Sequence, residues 1–211
     1  MKKLFLVMAI CAGVMCFTSC EDNEVLNAIV SELTGSASAT LGDSELTEQP
    51  NFTASIAMVG EKAEETDKEA DYVIGISANL SIDQLLNITS AAALPYPFMA
   101  YRLSGVTTGT RTLTNPLTSE EILNFDYTSL FSNNLKDNFV AIALNDSVFY
   151  VMTSGTIDVT TLDDSKVEAS FTGHAQKINR HEGVAQLFEN TFTFSGQFAS
   201  RRSTLLNWLA N

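Results

Sequence analysis

The clearest regularity along the chain is an alternation of apolar and polar residues that sets in at Ser36 and returns at intervals as far as Phe198. Ala37, Ala39 and Leu41 alternate with serines and a threonine; Phe52, Ala54, Ile56 and Met58 alternate with Thr53 and Ser55; Tyr72, Ile74, Ile76 and Ala78 follow the same rule. A period of two sends successive side chains to opposite faces of an extended backbone, so these segments are expected to be half-buried strands. Another strand is expected around Phe98 to Leu103, with Gly105 and Gly109 marking the bends after it.

The pattern is strongest in the carboxy-terminal third. Val140, Ile142 and Leu144 give way to Val148, Tyr150 and Met152 across Asn145-Asp146, a tight-turn signal, and Ile157 and Val159 follow. Val167, Ala169, Phe171, Gly173 and Ala175 then share one face while Lys166, Glu168, Ser170, Thr172, His174 and Gln176 share the other; Phe192, Phe194, Gly196 and Phe198 repeat the arrangement. Strands with one wet and one dry face belong in antiparallel sheets. Glycine in phase with the dry face at Gly173 and Gly196 suits a bend or the close approach of another backbone. About eight or nine short-spaced strands predict a mainly β, antiparallel barrel or sandwich with a few short helices, in a single domain over residues 36–211.

The helices are few. Asn23 can cap one in which Leu26, Ile29, Val30 and Leu33 form a stripe that Gly35 ends. Its neighbours Glu21, Asp22, Glu24 and Glu32 give it no basic face, so it is expected to be a strut rather than a membrane-lying helix. Ser81 with Gln84, opening a short helix through Leu85 and Leu86, and Thr118 with Glu121 have the spacing of capping boxes, the second reinforced by a Leu117–Ile122 staple and running to about Asn124. Ser203 to Ala210, striped by Leu205, Trp208 and Leu209, is expected to cover an open end or edge of the sheet, with Arg201-Arg202 at its start. Gly60 to Asp71 holds Glu61, Glu64, Glu65, Asp67, Glu69 and Asp71, but without the spacing or turn glycine of a calcium loop, and reads as a solvated connection.

The chain opens differently. Lys2 and Lys3 form a positive start, Leu4 to Val14 an apolar run, and Phe17-Thr18-Ser19-Cys20 a small-residue cleavage site that ends in a thiol. This resembles the lipobox of bacterial lipoproteins, with Phe17 where that family prefers leucine. The resemblance implies that residues 1–19 are a signal peptide and that Cys20 is joined to diacylglycerol and acylated at its new amino terminus. The apolar run falls short of the ~20 residues a bilayer span needs, whereas several acyl chains on one cysteine suffice for stable anchoring. Residues 20–35 then form the lipid anchor and the amino-terminal helix. Glu21-Asp22-Asn23-Glu24 is similar to the acidic export tag of Bacteroidota lipoproteins, which implies the outer membrane and display on the cell surface.

Charge and cysteine content narrow the partners. Lys2 and Lys3 leave with the signal, so the mature chain keeps 10 of its 12 basic residues against 25 acidic ones, a net charge of −15. Nucleic acid is disfavoured, because phosphate affinity comes from lysine and arginine; a neutral or cationic partner suits the field better. Cys11 and Cys16 lie in the signal, leaving Cys20 as the sole thiol, so no disulfide can stabilise the domain. Its stability must come from an apolar core, for which the remaining 192 residues are ample.

Four segments, Gly109-Thr110-Arg111-Thr112-Leu113, Ser154 to Thr160, Lys166 to Phe171 and Gly196 to Arg202, resemble those of a group of β-rich lipoproteins of the Bacteroidota. That resemblance spans roughly residues 105–205 and implies an extracytoplasmic calycin-like or sandwich domain. The group carries no agreed activity, so no functional residues transfer from it.

Chemistry-bearing motifs are sparse. His174, on the wet face of its strand, and His181, expected in a polar loop beside Arg180 and Glu182, lie seven apart with no free cysteine near them, so neither a zinc site nor any other metal site is expected. No serine lies in a Gly-x-Ser-x-Gly elbow and no His-Glu-x-x-His helix exists, so no catalytic residue and no cofactor is assigned. Arg201 and Arg202 could grip an anionic headgroup or carboxylate through their donor forks. Tyr96, Phe98, Tyr101 and Trp208 could line a sugar or lipid site, although core packing is the commoner duty of such aromatics. Asp146-Ser147-Val148 resembles the acceptor for O-glycosylation in exported Bacteroidota proteins, which implies Ser147 as a glycan site. The expected function is that of a non-catalytic binding module for a neutral ligand or envelope protein, anchored in the membrane by lipid; the alternatives are a structural subunit of an envelope assembly and, third, an acidic-residue hydrolase. Intact-mass analysis of the native protein should show acyl mass on a chain beginning at Cys20, and a Cys20→Ser form should keep its precursor length. A further increment that disappears with Ser147→Ala would mark the glycan, and lipid mass alone would exclude it.

Overall fold

The computed structural model describes residues 35–42, 50–60, 72–81, 84, 94–115, 138–181 and 184–202, all within one compact unit, Leu33–Asn211. The strands among them are β1 (Ser36–Gly42), β2 (Asn51–Phe52), β3 (Ala54–Gly60), β4 (Tyr72–Ala78), β5 (Phe98–Ser104), β6 (Gly109–Thr114), β7 (Phe139–Ala143), β8 (Val148–Leu162), β9 (Lys166–His181) and β10 (Val184–Arg202). They join in one mainly antiparallel sheet. The long strands β8, β9 and β10 form a central ribbon, and each outer edge of that ribbon is shared by two short strands. On β8, Phe149 to Val151 pair with β7 while Ser154 to Val159 pair with β6; on β10, Thr193 to Ala199 pair with β1 while Arg201 and Arg202 pair with β3.

Strands β3, β4, β5 and β7 follow one another as antiparallel neighbours, so the hydrogen-bonded path runs β10-β3-β4-β5-β7-β8-β9 and returns to β10. The β10–β3 step is parallel, which the alternation along the chain did not reveal; Arg201 and Arg202 end this strand instead of opening a helix. Two other local expectations are also replaced. Gly109 begins a strand rather than a bend, and His181 closes β9 rather than sitting in a loop.

Two apolar clusters lie on opposite faces of β3-β4-β5-β7. One contains Val73, Met99, Tyr101, Leu103, Val140 and Ile142 and meets Ala37, Leu41, Ile157, Val167, Phe171, Phe194 and Phe198 from the ribbon side, forming the interior. The other contains Ile56, Ile74, Ile76, Phe98, Ala100, Phe139 and Phe149, with Leu80 and Tyr96 packed on it. Every residue of β4 and β7 is buried. A half-wet strand was expected at Tyr72–Ala78, but Val73, Gly75 and Ser77 give it a second dry face, as near-continuous runs do in sheets covered on both sides.

In β8 the register shifts between Met152 and Ser154. The extra residue reverses the parity of the strand: Tyr150 and Met152 point inward before it, Ile157 and Val159 after it. Gly155, just past the bulge, has φ 138°, a conformation that side chains disfavour, and lies opposite Gly173. What the sequence shows as two apolar runs is therefore one bent strand.

The closing step is secured by a buried hydroxyl cluster. Ser55 of β3 lies 2.7 Å from Ser77 of β4 and 2.5 Å from Ser200 of β10, oxygen to oxygen, and the Tyr101 hydroxyl of β5 donates to Ser200 Oγ at 2.7 Å. All four residues are fully buried. Tyr101 stacks on Phe198 with ring centroids 3.8 Å apart, and Gly75 makes room for it, since a β-carbon there would stand 2.0 Å from the ring. Ser81 and Gln84 make the reciprocal bonds of a capping box, Ser81 N to Oε1 at 3.0 Å and Gln84 N to Oγ at 3.3 Å. The helices expected at residues 23–34, 118–124 and 203–210 lie outside the described residues, as does the rest of that at 81–86.

Ser200→Ala should lower stability by about 1–3 kcal/mol, because Ser55 and Tyr101 each lose a partner where water cannot replace it. Burial holds the Tyr101 phenol above its ordinary range, while the Ser200 bond acts weakly the other way. A raised acid pKa keeps its stabilisation below the unfolded value and loses it as pH climbs, so urea denaturation should show stability falling above about pH 10. Tyr101→Phe should remove that alkaline component; an unchanged slope would place its origin elsewhere.

Candidate functional site

Alternation in the ribbon and its partner strands gives the sheet β6-β8-β9-β10-β1 an outer face as polar as its inner face is apolar. Registers place Thr112, Thr156, Thr172, Ser195 and Thr40 side by side in one row across these strands. The adjacent row is Thr110, Asp158, Ser170, Gln197 and Ser38, extended by Asn51 of β2. His174 is exposed on the same face, in the row of Ser154 and Thr193. Hydroxyls and amides dominate a surface that belongs to a strongly acidic chain.

At the β1–β2 end this face sinks into a groove of about 660 Å³. Its rim offers Ser36, Ser38, Asn51, Thr160, Ser170 and Gln197, and Ala37, Phe52, Ala169 and Phe198 close it from beneath, each less than a tenth exposed. Among the described residues Glu168 supplies the one charge in its lining. A neighbouring cleft of about 400 Å³ shares Ser36, Glu168 and Ala199 with it and adds Gly35, Ser165, Lys166 and Arg201.

The β8–β9 turn borders the cleft, to which it gives Ser165 and Lys166. Asp163 Oδ1 accepts from Ser165 N at 2.8 Å, Ser165 Oγ at 2.7 Å and Lys166 N at 3.0 Å, and Asp163 N donates to Lys166 O at 3.1 Å. An aspartate that bonds its own downstream backbone is a standard turn device. The Ser165 hydroxyl, followed by the two backbone donors, holds the Asp163 carboxyl below its ordinary range. Arg202 clamps the turn to β10, donating to Asp163 O at 2.7 Å and to Asp164 Oδ1 at 3.2 Å. Glu168 accepts from Lys166 Nζ at 2.8 Å and from Thr161 Oγ1 at 2.7 Å, and these bonds, Lys166 foremost, lower its pKa.

The structure distributes the sequence-derived candidates unequally. Arg201 lines the cleft; Arg202 is held by the turn. Tyr101 is fully buried and belongs to the closing cluster, so it offers no surface for ligand contact. Tyr96 stacks on Phe98 at 5.4 Å, over the second apolar cluster and outside the groove lining. Ser147 stands in the β7–β8 connection, its Oγ donating to Asp146 Oδ1 at 2.9 Å and its backbone N to Asn145 Oδ1 at 2.9 Å. Cys20 and Trp208 lie outside the described residues. Groove residues such as Ser170 and Gln197 carry no motif; their signal was their place on the wet side of two neighbouring strands, and only the register shows that they meet.

Among the described residues no cluster of three or more histidine, cysteine or acidic side chains could hold a metal. Val106 is the exposed large hydrophobic among them. The fold and site thus define a mainly β domain whose outer sheet face carries a hydrogen-bonding groove rimmed largely by neutral polar side chains. The chain matches no protein-family model, no curated protein and no solved structure.

Acid should loosen the β8–β9 turn beside the cleft before it unfolds the core. Asp163 and Glu168 have depressed pKa values, so their contribution is complete above the ordinary carboxylate range of about 4 and is lost as pH falls through their lower folded values. The amide resonances of Ser165 and Lys166 should shift in that acid window while those of Val73 and Ile142 hold still. Simultaneous movement of both sets would show that turn and core unfold together.

Proposed function

We propose that this protein is a non-catalytic binding module, lipid-anchored at Cys20 in the outer membrane and displayed at the cell surface, that holds a neutral ligand in the groove beside β1 and β2. The observation that carries this reading is a recess of ligand size, about 660 Å³, rimmed by uncharged donors and acceptors. Binding sites of small molecules fall in the range of roughly 300–1,000 Å³ and fix their ligands through a few placed polar groups. Serine and threonine hydroxyls both donate and accept, and asparagine and glutamine amides do each at separate atoms, so the rim matches a ligand rich in hydroxyl or amide groups.

Several features support a neutral ligand over a strongly charged one. Among the described residues the rim lacks a free acid, because Glu168 is engaged by Lys166 and Thr161. The net negative charge of the chain repels polyanions at long range. A structural subunit would call for a broad exposed apolar patch, and among the described residues such surface is limited to Val106.

Ser170 is exposed on the groove rim, so Ser170→Trp should fill the recess while changing stability by no more than about 0.5 kcal/mol. Native mass spectrometry of the lipoprotein, solubilised in mild detergent from its own membrane, should show a small bound molecule rich in hydroxyl or amide groups on the wild type and none on Ser170→Trp. A stoichiometric protein companion that survives this substitution would support an assembly subunit and sink the groove reading.

A further inference from the structure

Across the β9–β10 ladder Lys166 and Arg201 face each other. Directly opposed residues of an antiparallel pair bring their β-carbons to about 4.5–5.5 Å, and like charges at that spacing destabilise the pair. Glu168 relieves one of them, taking Lys166 Nζ at 2.8 Å. Among the described residues the Arg201 side chain has no hydrogen-bond or ion-pair partner, although it is half-buried and lines the 400 Å³ cleft that continues the groove. Its neighbour in sequence shows the contrast, because Arg202 bonds Asp163 and Asp164. A guanidinium left vacant beside a lysine, in a chain with twice as many acids as bases, has a local excess of donors that the fold itself does not use.

We infer that the cleft is an oxyanion subsite, which takes one carboxylate or phosphate group carried by the otherwise uncharged ligand of the groove. This rests on the reading of the groove as a ligand site and extends the ligand by one charged end. Arg201 supplies the planar fork that matches two oxygens of either group, Lys166 the spare donors of its ammonium, and Ser36, exposed and shared by groove and cleft, a hydroxyl donor between the two. Acids also stand nearby. Asp163 is turned into its own turn by its three bonds, Asp164 is paired with Arg202, and Glu168 is shared by Lys166 and Thr161. They restrict the subsite to a single anionic group and favour recognition at contact distance over long-range attraction, which salt screens beyond about 8 Å.

The test follows the arginine side-chain Nε–H resonances of the 15N-labelled mature lipoprotein in neutral-detergent micelles. Sodium glucuronate, sodium phosphate and glucose are added in turn at an ionic strength fixed with chloride. Glucuronate or phosphate should give a saturable shift at Arg201 that glucose does not give, and the tighter of the two identifies the group as carboxylate or phosphate. Arg201→Gln should weaken that binding roughly tenfold or more, Arg201→Lys should keep part of it as a point charge, and Arg180→Gln should leave it unchanged. Shifts that never saturate, that appear equally at Arg180, or that survive at the remaining subsite residues in Arg201→Gln would overturn the inference. Failure here with Ser170→Trp still releasing a bound ligand would remove the subsite and leave the groove reading intact; saturable oxyanion binding with no ligand dependent on Ser170 would do the reverse.

Discussion

The strand circuit is completed by a two-residue parallel contact, Ile56 and Ala57 against Arg201 and Arg202, and a contact so short depends on what lies behind it. The cluster of Ser55, Ser77, Ser200 and Tyr101 lies there, linking β3, β4, β10 and β5 through bonds of 2.5 to 2.7 Å with no solvent access. Each such bond adds a net ~0.5–1.5 kcal/mol, but a hydroxyl left without its partner in that position costs more, so the cluster enforces one closure rather than merely favouring it. With no cysteine among the described residues to cross-link the strands, directional polar groups at the seam and apolar area elsewhere must do this together.

Closure has a geometric consequence for the ribbon. Strands β8, β9 and β10 serve the closed circuit with β7 and β3 along part of their length, and with β6 and β1 along the rest. The bulge at Met152/Ser154 and the facing pair Gly155 and Gly173 sit where β8 passes from one partner to the other. By reversing parity there, the bulge keeps the apolar side chains of both halves on the inner face. The outer face is therefore polar along the whole stretch that pairs with β6 and β1.

That outer face is where the groove forms, and the charge arrangement around it has a division of labour. Asp163, Arg202, Glu168 and Thr161 are used to build and brace the β8–β9 turn. Among the described residues the Arg201 side chain and the hydroxyls of Ser36 and Ser170 make no bond that braces the scaffold. Groups that the scaffold leaves unsatisfied at the surface of a recess are those available for a ligand, which is the physical basis for assigning binding to this end of the domain.

The strand class was legible in the chain because a period of two is local: Val167 to Ala175 announces its dry face without reference to any other segment. The Ser81–Gln84 box and the Asn145 turn were legible for the same reason, since their bonds span three residues or fewer. Burial of β4 on both faces, the strand at Gly109, the parallel seam and the fate of Tyr101 were not, because each depends on partners far away in sequence, Ser200 lying 99 residues from Tyr101. Arg201 and Arg202 are adjacent and chemically identical, so nothing local separates them; strand alternation sends one toward the cleft, and the turn 38 residues earlier captures the other. The sequence by itself determined that the chain makes alternating strands with a wet and a dry side. Which wet residues become neighbours, and therefore where a ligand could be held, was decided by strand register, a property of pairs of segments that no single segment encodes.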